Sequence, residues 1–245
     1  ILESYKKPYL TYSVNTLGTL NLLECIRSLN FIKSVVCITS DKCYESNFST
    51  KGFRENDKLG GVDPYSGSKA SAEIIIKTYN ESFLKKKNCG LASARAGNVI
   101  GGGDWSENRL IPDCIKFLMK KKKIVLRNPN FSRPWQFVLE PLKGYLFLAQ
   151  KQFINPLKFA GSWNFGTQSI FSIKVIEIVK LIIKFWGSGE IKILKSKKFK
   201  EQKNLQIDST KAKKKLKWKP TYSTKKAVLV TSEWYSDVFR SKKNP

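Results

Sequence analysis

The chain has 245 residues, carries 45 Lys and Arg against 19 Asp and Glu for a formal net charge of +26, and contains no histidine. That length can bury a sizeable core in one or two domains, and no apolar run reaches the ~18 residues that a membrane-spanning helix needs. The lack of histidine argues against zinc sites of the usual kind and against histidine-based triads, so no metal site is expected.

The opening stretch Ile1 to Lys7 has neither an initiator Met nor a signal pattern, so the chain reads as starting inside a longer protein. Tyr12 to Leu29 places Leu17, Leu20, Leu23 and Ile26 at helical spacing and predicts a helix packed on a sheet. Val35 to Thr39, within a short apolar run rich in β-branched residues, predicts a buried parallel strand. Ser46 to Asp63 is polar and contains glycine, a long loop. Tyr65 to Phe83 predicts a helix with Ile74, Ile75, Ile76 and Tyr79 on or near its buried side, and Gly90 to Ala96 a further strand.

Beyond Gly97 the pattern changes. Gly101 to Trp105 reads as a turn, Asn108 to Met119 as a helix and Lys123 to Leu126 as a short strand. Pro141 to Gln150 predicts a helix, Ser162 to Phe165 a strand, Ile173 to Trp186 an amphipathic helix and Ile191 to Leu194 a strand. Asp208 to Lys211 opens a small helix through an Asp or Ser cap, Trp218-Lys219-Pro220 closes it, and Ala227 to Val238 is the last helix. Strands that alternate with helices define an α/β fold with a parallel sheet.

The charge is a question of composition. Seven of the 45 basic residues are Arg, and four of those lie in the motifs quoted below; the rest are Lys, often in surface-like runs such as Lys120 to Lys123. Readers of nucleic-acid sequence favour Arg for bidentate contacts. A lysine-biased surface therefore explains the charge better than nucleic-acid or membrane binding, and neither partner is expected. Cys25, Cys37, Cys43, Cys89 and Cys114 are odd in number and have no C-x-x-C spacing, which fits reduced thiols in the cytoplasm better than a disulfide frame.

Tyr65 and Lys69 stand four apart in Asp63-Pro64-Tyr65-Ser66-Gly67-Ser68-Lys69, so they share one helical face. A cation beside a phenol favours phenolate, which makes the pair a plausible acid–base unit, although the spacing also occurs on ordinary helices. Upstream, Ser40-Asp41-Lys42 follows the strand of Val35 to Thr39. Polar residues at the carboxyl end of a parallel strand lie where open α/β sheets bind ligands.

The order of strand, polar tip, loop and Y-x-x-x-K helix resembles the extended branch of the short-chain dehydrogenase/reductase family, which works on nucleotide sugars. Thr39 to Tyr44, Asp63-Pro64-Tyr65, Ala94 to Trp105, Arg109 to Asp113, Leu126 to Pro129 and Arg133 to Gln136 follow in order and together resemble the CDP-glucose 4,6-dehydratases. The likeness runs from about Asn15 to Trp234. It implies a Rossmann-like, doubly wound parallel sheet with a smaller substrate-binding lobe. Residues 1–100 would be the later part of the NAD-binding domain, and residues 101–245 mainly the interleaved lobe. The glycine fingerprint that cradles the cofactor's pyrophosphate is not in this sequence, so the resemblance places it upstream and implies an inactive segment when this part stands alone.

The same resemblance implies NAD as cofactor, CDP-glucose as substrate and a homodimer. Ser40, Tyr65 and Lys69 would oxidise C4, with Asn15 near a helix start either supporting the cofactor side or acting as an ordinary cap. Asp41 as an acid would protonate the departing 6-hydroxyl, and Lys42 in its neutral form would take the C5 proton. Similar dTDP-glucose enzymes carry Glu where this chain has Lys42, so Lys42 marks the CDP branch. Asn98, Arg109, Arg127 and Arg133 would contact the diphosphate and sugar, with Asn164 as a weaker candidate. Trp105 and Trp135 would pack on the sugar or base or, as is commoner for Trp, in the core. Phe137 stands where relatives often carry His, a change expected to affect packing more than chemistry. Another dehydratase or a 4-epimerase of the same family, and a non-catalytic basic module, remain open alternatives.

Overall fold

A computed structural model describes residues 2–45, 52–167, 173–194 and 206–240. The helix expected from Tyr12 to Leu29 is present to Ser28, begins earlier and carries a π-type turn within it. α1 (Leu2–Lys6), α2 (Pro8–Tyr12) and α3 (Gly18–Ser28) follow one another, and a wider π-type turn at Ser13–Leu17 joins the last two. Strand β1 (Ser34–Ile38) runs into a tight 3-10 turn at Asp41–Cys43. Helix α4 (Pro64–Tyr79) starts where Pro64 sets the helical φ and Asp63 caps the first turn, accepting the Ser66 N–H at 3.0 Å. It passes into a π-type turn at Asn80–Leu84 rather than continuing unchanged to Phe83, and Ile74 faces out while Ile76 is buried.

The longer later elements lie close to their expected places, and four two-residue strands that were not expected join them. They are β2 (Gly90–Ala96), β3 (Val99–Ile100), α5 (Leu110–Met119), β4 (Ile124–Leu126), β5 (Ser132–Arg133) and β6 (Gln136–Phe137). Then come α6 (Leu139–Ile154), β7 (Gly161–Phe165), β8 (Ile173–Lys174), α7 (Val175–Trp186), β9 (Ile191–Ile193) and α8 (Thr224–Arg240). The helix expected from Ile173 begins two residues later, because Ile173 and Lys174 pair with β5 before the chain turns. The helix expected after Asp208 is short and carries a π-type turn at Ala212–Leu216. Of the expected loop from Ser46 to Asp63, residues 46–51 lie outside the described residues.

The chain divides into two compact units. The first comprises residues 1–97, 141–166 and 207–219 and holds a parallel sheet of order β1-β2-β7. Ile38 stands beside Ala94, and Arg95 beside Asn164. Successive residues of β2 point to opposite faces. Leu91 accordingly joins Leu23, Ile26, Ile76 and Leu84, whereas Ala92 and Ala94 join Leu148, Trp163, Phe165 and Trp218. Gly144 lets α6 lie close on this second face, since a Cβ there would come within 2.4 Å of the Phe165 ring.

The second unit comprises residues 98–140, 167–206 and 220–245. Among the described residues it holds three strand pairs, β3–β6 and β4–β9 parallel and β5–β8 antiparallel. Its core is built from Ile111, Ile115 and Leu118 of α5, Ile178, Val179 and Ile182 of α7, and Ala227, Val228 and Tyr235 of α8. All five cysteines are free thiols: Cys25 is exposed, Cys37 is partly covered, and Cys43, Cys89 and Cys114 are buried. Among the described residues no helix is long and apolar enough to cross a membrane, and no cluster of carboxylates and thiols is placed to hold a metal ion.

Candidate active site

The first unit brings the expected strand tip and the Y-x-x-x-K helix together. The Ser40 side chain caps the 3-10 turn, accepting the Lys42 N–H at 3.2 Å and donating to Asp41 Oδ1 at 3.1 Å. Ser40 and Asp41 are buried and Lys42 is half-buried. α4 packs directly on this turn. Tyr65 and Lys69, both half-buried, lie in the first two turns of α4, on one face by their spacing. Burial lowers the pKa of Lys69 and the nearby carboxylate of Glu73 opposes that shift, yet the net direction is downward.

The N-terminal helix bears on this site. Its π-type turn carries Asn15, whose Nδ2 donates to Ser68 Oγ at 3.0 Å, and Thr16, whose hydroxyl donates to the Ser68 carbonyl at 3.2 Å. Ser68 Oγ in turn donates to the Tyr65 carbonyl at 2.8 Å. Asn15 thus braces the first turns of α4 through Ser68. Two glycines permit the close packing. A Cβ on Gly67 would lie 2.4 Å from Tyr12 Oη, and one on Gly61 would lie 2.4 Å from the Ser66 Cβ and 2.6 Å from the Gly67 nitrogen.

Beneath the tip lies a buried network that the sequence reading did not single out. Glu73 follows Lys69 by one turn. Its Oε1 accepts from Arg95 Nε at 2.8 Å, and its Oε2 from Arg95 Nη2 at 2.5 Å and Ser93 Oγ at 2.7 Å. Thr39 Oγ1 donates to the same carboxylate, and so does Ser162 Oγ, weakly, at 3.4 Å. One carboxylate therefore reaches the end of β1 and residues of both other strands of the sheet. Burial pushes the Glu73 pKa up, but Arg95 and the hydroxyl donors more than reverse this, and the group stays below the usual carboxylate range. Arg95 is raised by the same partner, so the pair is fully ionised. The available signal was the spacing Tyr65, Lys69, Glu73, which puts an acid on the face of those two residues, next to three isoleucines.

Asn164 belongs to this network rather than to an open surface. It is completely buried, its Oδ1 accepts from Tyr44 Oη at 2.7 Å, and its Nδ2 donates to the carbonyls of Phe53 at 2.9 Å and Asp208 at 3.2 Å. With both amide hydrogens engaged internally, it clasps the loop before α4 to β7. Arg95 Nη1 reinforces the clasp through Tyr44 Oη at 2.8 Å and the Glu55 carbonyl at 3.1 Å.

The other expected substrate contacts lie in the second unit. Asn98 is half-buried, and its carbonyl accepts the Gln136 N–H at 3.0 Å. Arg109 is mostly exposed and loosely paired with Asp104 at 3.6 Å, and Arg127 is exposed. Arg133 is buried, donates to the Ser132 carbonyl at 2.9 Å and lies over the Phe131 ring. Trp135 is a core residue, and Trp105 packs edge-on against Tyr235 with ring centres 5.1 Å apart. Phe137 stacks on Tyr222 at 5.4 Å, a packing role as expected.

Comparison with known proteins agrees with this arrangement. Residues 1–230 match the family model described as GDP-mannose 4,6 dehydratase. A CDP-glucose 4,6-dehydratase of Salmonella typhimurium is 40% identical over 238 residues, which are 95% of this chain and 66% of that protein. The chain thus spans about two thirds of the length of that relative. Among solved structures, a dTDP-glucose 4,6-dehydratase from Bacillus anthracis in complex with NAD is similar with a TM-score of 0.79 and 25% identity, over 92% of this chain and 68% of that one. A UDP-glucose 4-epimerase from Thermotoga maritima shares the fold with a TM-score of 0.83 at 20% identity, over 99% of this chain and 74% of that one. The chain belongs to the GDP-mannose 4,6-dehydratase family of Rossmann-fold nucleotide-sugar dehydratases and epimerases.

Proposed function

We propose that the protein in its complete form is an NAD-dependent nucleotide-sugar 4,6-dehydratase, and that its substrate is CDP-glucose. The observation that carries this reading is the packing of the Ser40-Asp41-Lys42 turn on the helix of Tyr65 and Lys69. An oxidation and an elimination need separate proton donors and acceptors, and this juxtaposition supplies both sets. The CDP preference is supported by Lys42 and by the relative at 40% identity. The first unit serves as the cofactor-binding and catalytic part, and the second as the substrate lobe with Asn98, Arg109, Arg127 and Arg133 as contacts.

The residues fit NAD. The Lys69 ammonium is half-buried and carries no hydrogen bond to a described residue, leaving its donors for the hydroxyls of a ribose. NAD, when bound beside Lys69 and Tyr65, would supply the hydride chemistry at C4 and C6 of the hexose. Tyr65, as phenolate beside the Lys69 cation, takes the C4 hydroxyl proton, and Ser40 hydrogen-bonds the same oxygen as it becomes the 4-ketone. The ketone acidifies C5. Lys42 takes the C5 proton while Asp41 protonates the departing 6-hydroxyl, so water is lost across C5 and C6. A proton returned to C5 completes the CDP-4-keto-6-deoxyhexose, with no net consumption of cofactor.

A cytoplasmic setting is supported by the five free thiols. A homodimer is supported by the run of exposed apolar side chains Tyr9, Leu10, Val14, Leu17 and Leu22 on α2, the π-type turn and α3. The direct test of substrate is incubation of the protein made from its complete coding sequence with CDP-, dTDP-, UDP- and GDP-glucose, followed by assay for the ketone. CDP-glucose is expected to react fastest, and a clear preference for dTDP-glucose refutes the assignment.

A further inference from the structure

We propose that Thr39 and Glu73 form a latch that fixes the Ser40-Asp41-Lys42 tip against the Tyr65–Lys69 turn of α4, so that both are positioning residues for catalysis. The inference rests on the functional reading above. Thr39 is the residue between β1 and Ser40. Its backbone N–H is held by the Ala94 carbonyl at 3.0 Å, and its hydroxyl reaches 34 residues along the chain to Glu73 Oε1. Glu73 lies on α4 one turn beyond Lys69 and two beyond Tyr65. The hydrogen bond therefore ties the strand tip that supplies the elimination residues to the helix that supplies the oxidation residues.

The acceptor end of the latch is rigid. Arg95 grips both Glu73 oxygens, with Ser93 adding a third donor, and all three side chains are buried. Glu73 cannot follow the tip if the tip drifts, so the Thr39 bond transmits the fixed position of α4 to Ser40. Glu73 and Arg95 alone would satisfy each other's charge and hold β2 to α4. The hydroxyl of Thr39 adds nothing to that ion pair's neutrality. Its effect is on where β1 ends. Proton transfer requires heavy atoms within about 2.6–3.2 Å, and a misplacement of about 1 Å can cost roughly a hundredfold in rate.

The test compares Thr39→Val, which removes the donor and keeps the shape, with Thr39→Ser, which restores it, in the protein made from its complete coding sequence. Amide hydrogen exchange of residues 40–44 reports the latch without any assay of activity. It is expected to accelerate about tenfold in Thr39→Val and to return to the parental rate in Thr39→Ser. With CDP-glucose, kcat is expected to fall about 10- to 100-fold in Thr39→Val, with KM within about threefold, and to recover in Thr39→Ser. Unchanged exchange in Thr39→Val overturns the latch. A loosened tip with unchanged kcat overturns its role in positioning. So does a loss of kcat that only follows a loss of thermal stability and is not rescued by Ser. A parental protein that turns over no nucleotide sugar, with a tip that nevertheless loosens in Thr39→Val, sustains the latch and refutes the functional reading instead.

Discussion

Glu73 lies one helical turn beyond Lys69 on α4, and its carboxylate supports the lysine's cation against the burial that disfavours it. The same carboxylate is held ionised by Arg95 in a buried pair. A charge that stabilises the Lys69 cation is thus anchored in the core of the sheet, where water weakens it little.

Replacing Glu73 by Gln leaves the Arg95 guanidinium buried without its counter-charge, which is expected to cost about 3–5 kcal/mol near neutral pH. The Glu73 pKa is lower in the folded protein than its ordinary value of 4.5. Its stabilisation is therefore complete above about pH 4.5 and is lost only as the pH falls through the lower, folded value. Denaturant unfolding of parent and Glu73→Gln at neutrality, about pH 5 and about pH 3.5 checks this. The gap between them is expected to hold over the first two and to shrink at the third. A gap that grows on acidification contradicts the assignment.

Tyr65→Phe and Lys42→Ala are expected to fail at different steps. Loss of the phenol should slow hydride release from C4 by about 10²–10⁴-fold. Loss of the Lys42 amine should spare that step and stall elimination, so reduced cofactor and a 4-keto-hexose accumulate. Single-turnover absorbance at the NADH band, with product analysis after quenching, separates the two. Equal failure of both variants at hydride transfer would end this division of labour.

Gly61→Ala is expected to disturb the first turn of α4 from outside the proposed site. The added Cβ would meet the backbone and Cβ of Ser66 at 2.4–2.6 Å, and backbone has no rotamer by which to move aside. The first turn of α4, which carries Tyr65, must shift. A drop in kcat of about tenfold or more is anticipated. Steady-state kinetics indistinguishable from the parent would show that the turn accommodates the methyl without moving Tyr65.

Asn164→Ala separates an internal clasp from a substrate contact. The loss leaves Tyr44 Oη and the carbonyls of Phe53 and Asp208 short of partners, a cost of about 1–3 kcal/mol. The folded fraction should keep its KM for CDP-glucose. A raised KM at unchanged thermal midpoint would restore the residue to the substrate.

The parts that local pattern dictates were legible in advance. Gly90 to Ala96 is a strand from end to end, and the α5 and α7 helices follow from apolar spacing. The tip of Ser40, Asp41 and Lys42 and the turn of Tyr65 and Lys69 were legible from motif order. What escaped depends on contacts distant in sequence. The π-type turn at Ser13–Leu17 aims Asn15 at Ser68, 53 residues away, and no helical periodicity encodes that. Glu73 and Arg95 read singly as a surface acid and a strand-end base. Their meaning appears only when β2 sets Arg95 against α4. The burial of Asn164 was illegible for the same reason, since a polar residue near a strand end reads as exposed until the loop that covers it is known.

The five thiols are unequal as chemical targets. Burial pushes Cys37 up to about 11 and raises Cys43, Cys89 and Cys114 as well, while Cys25 stands exposed on α3. Since the thiolate is the reactive form, a maleimide at neutral pH meets one accessible sulfur per molecule. That gives the native chain a built-in single-site handle. A fluorophore or spin label on Cys25, on the helix that leads into β1, can report local mobility in the first unit with no cysteine engineered in or removed.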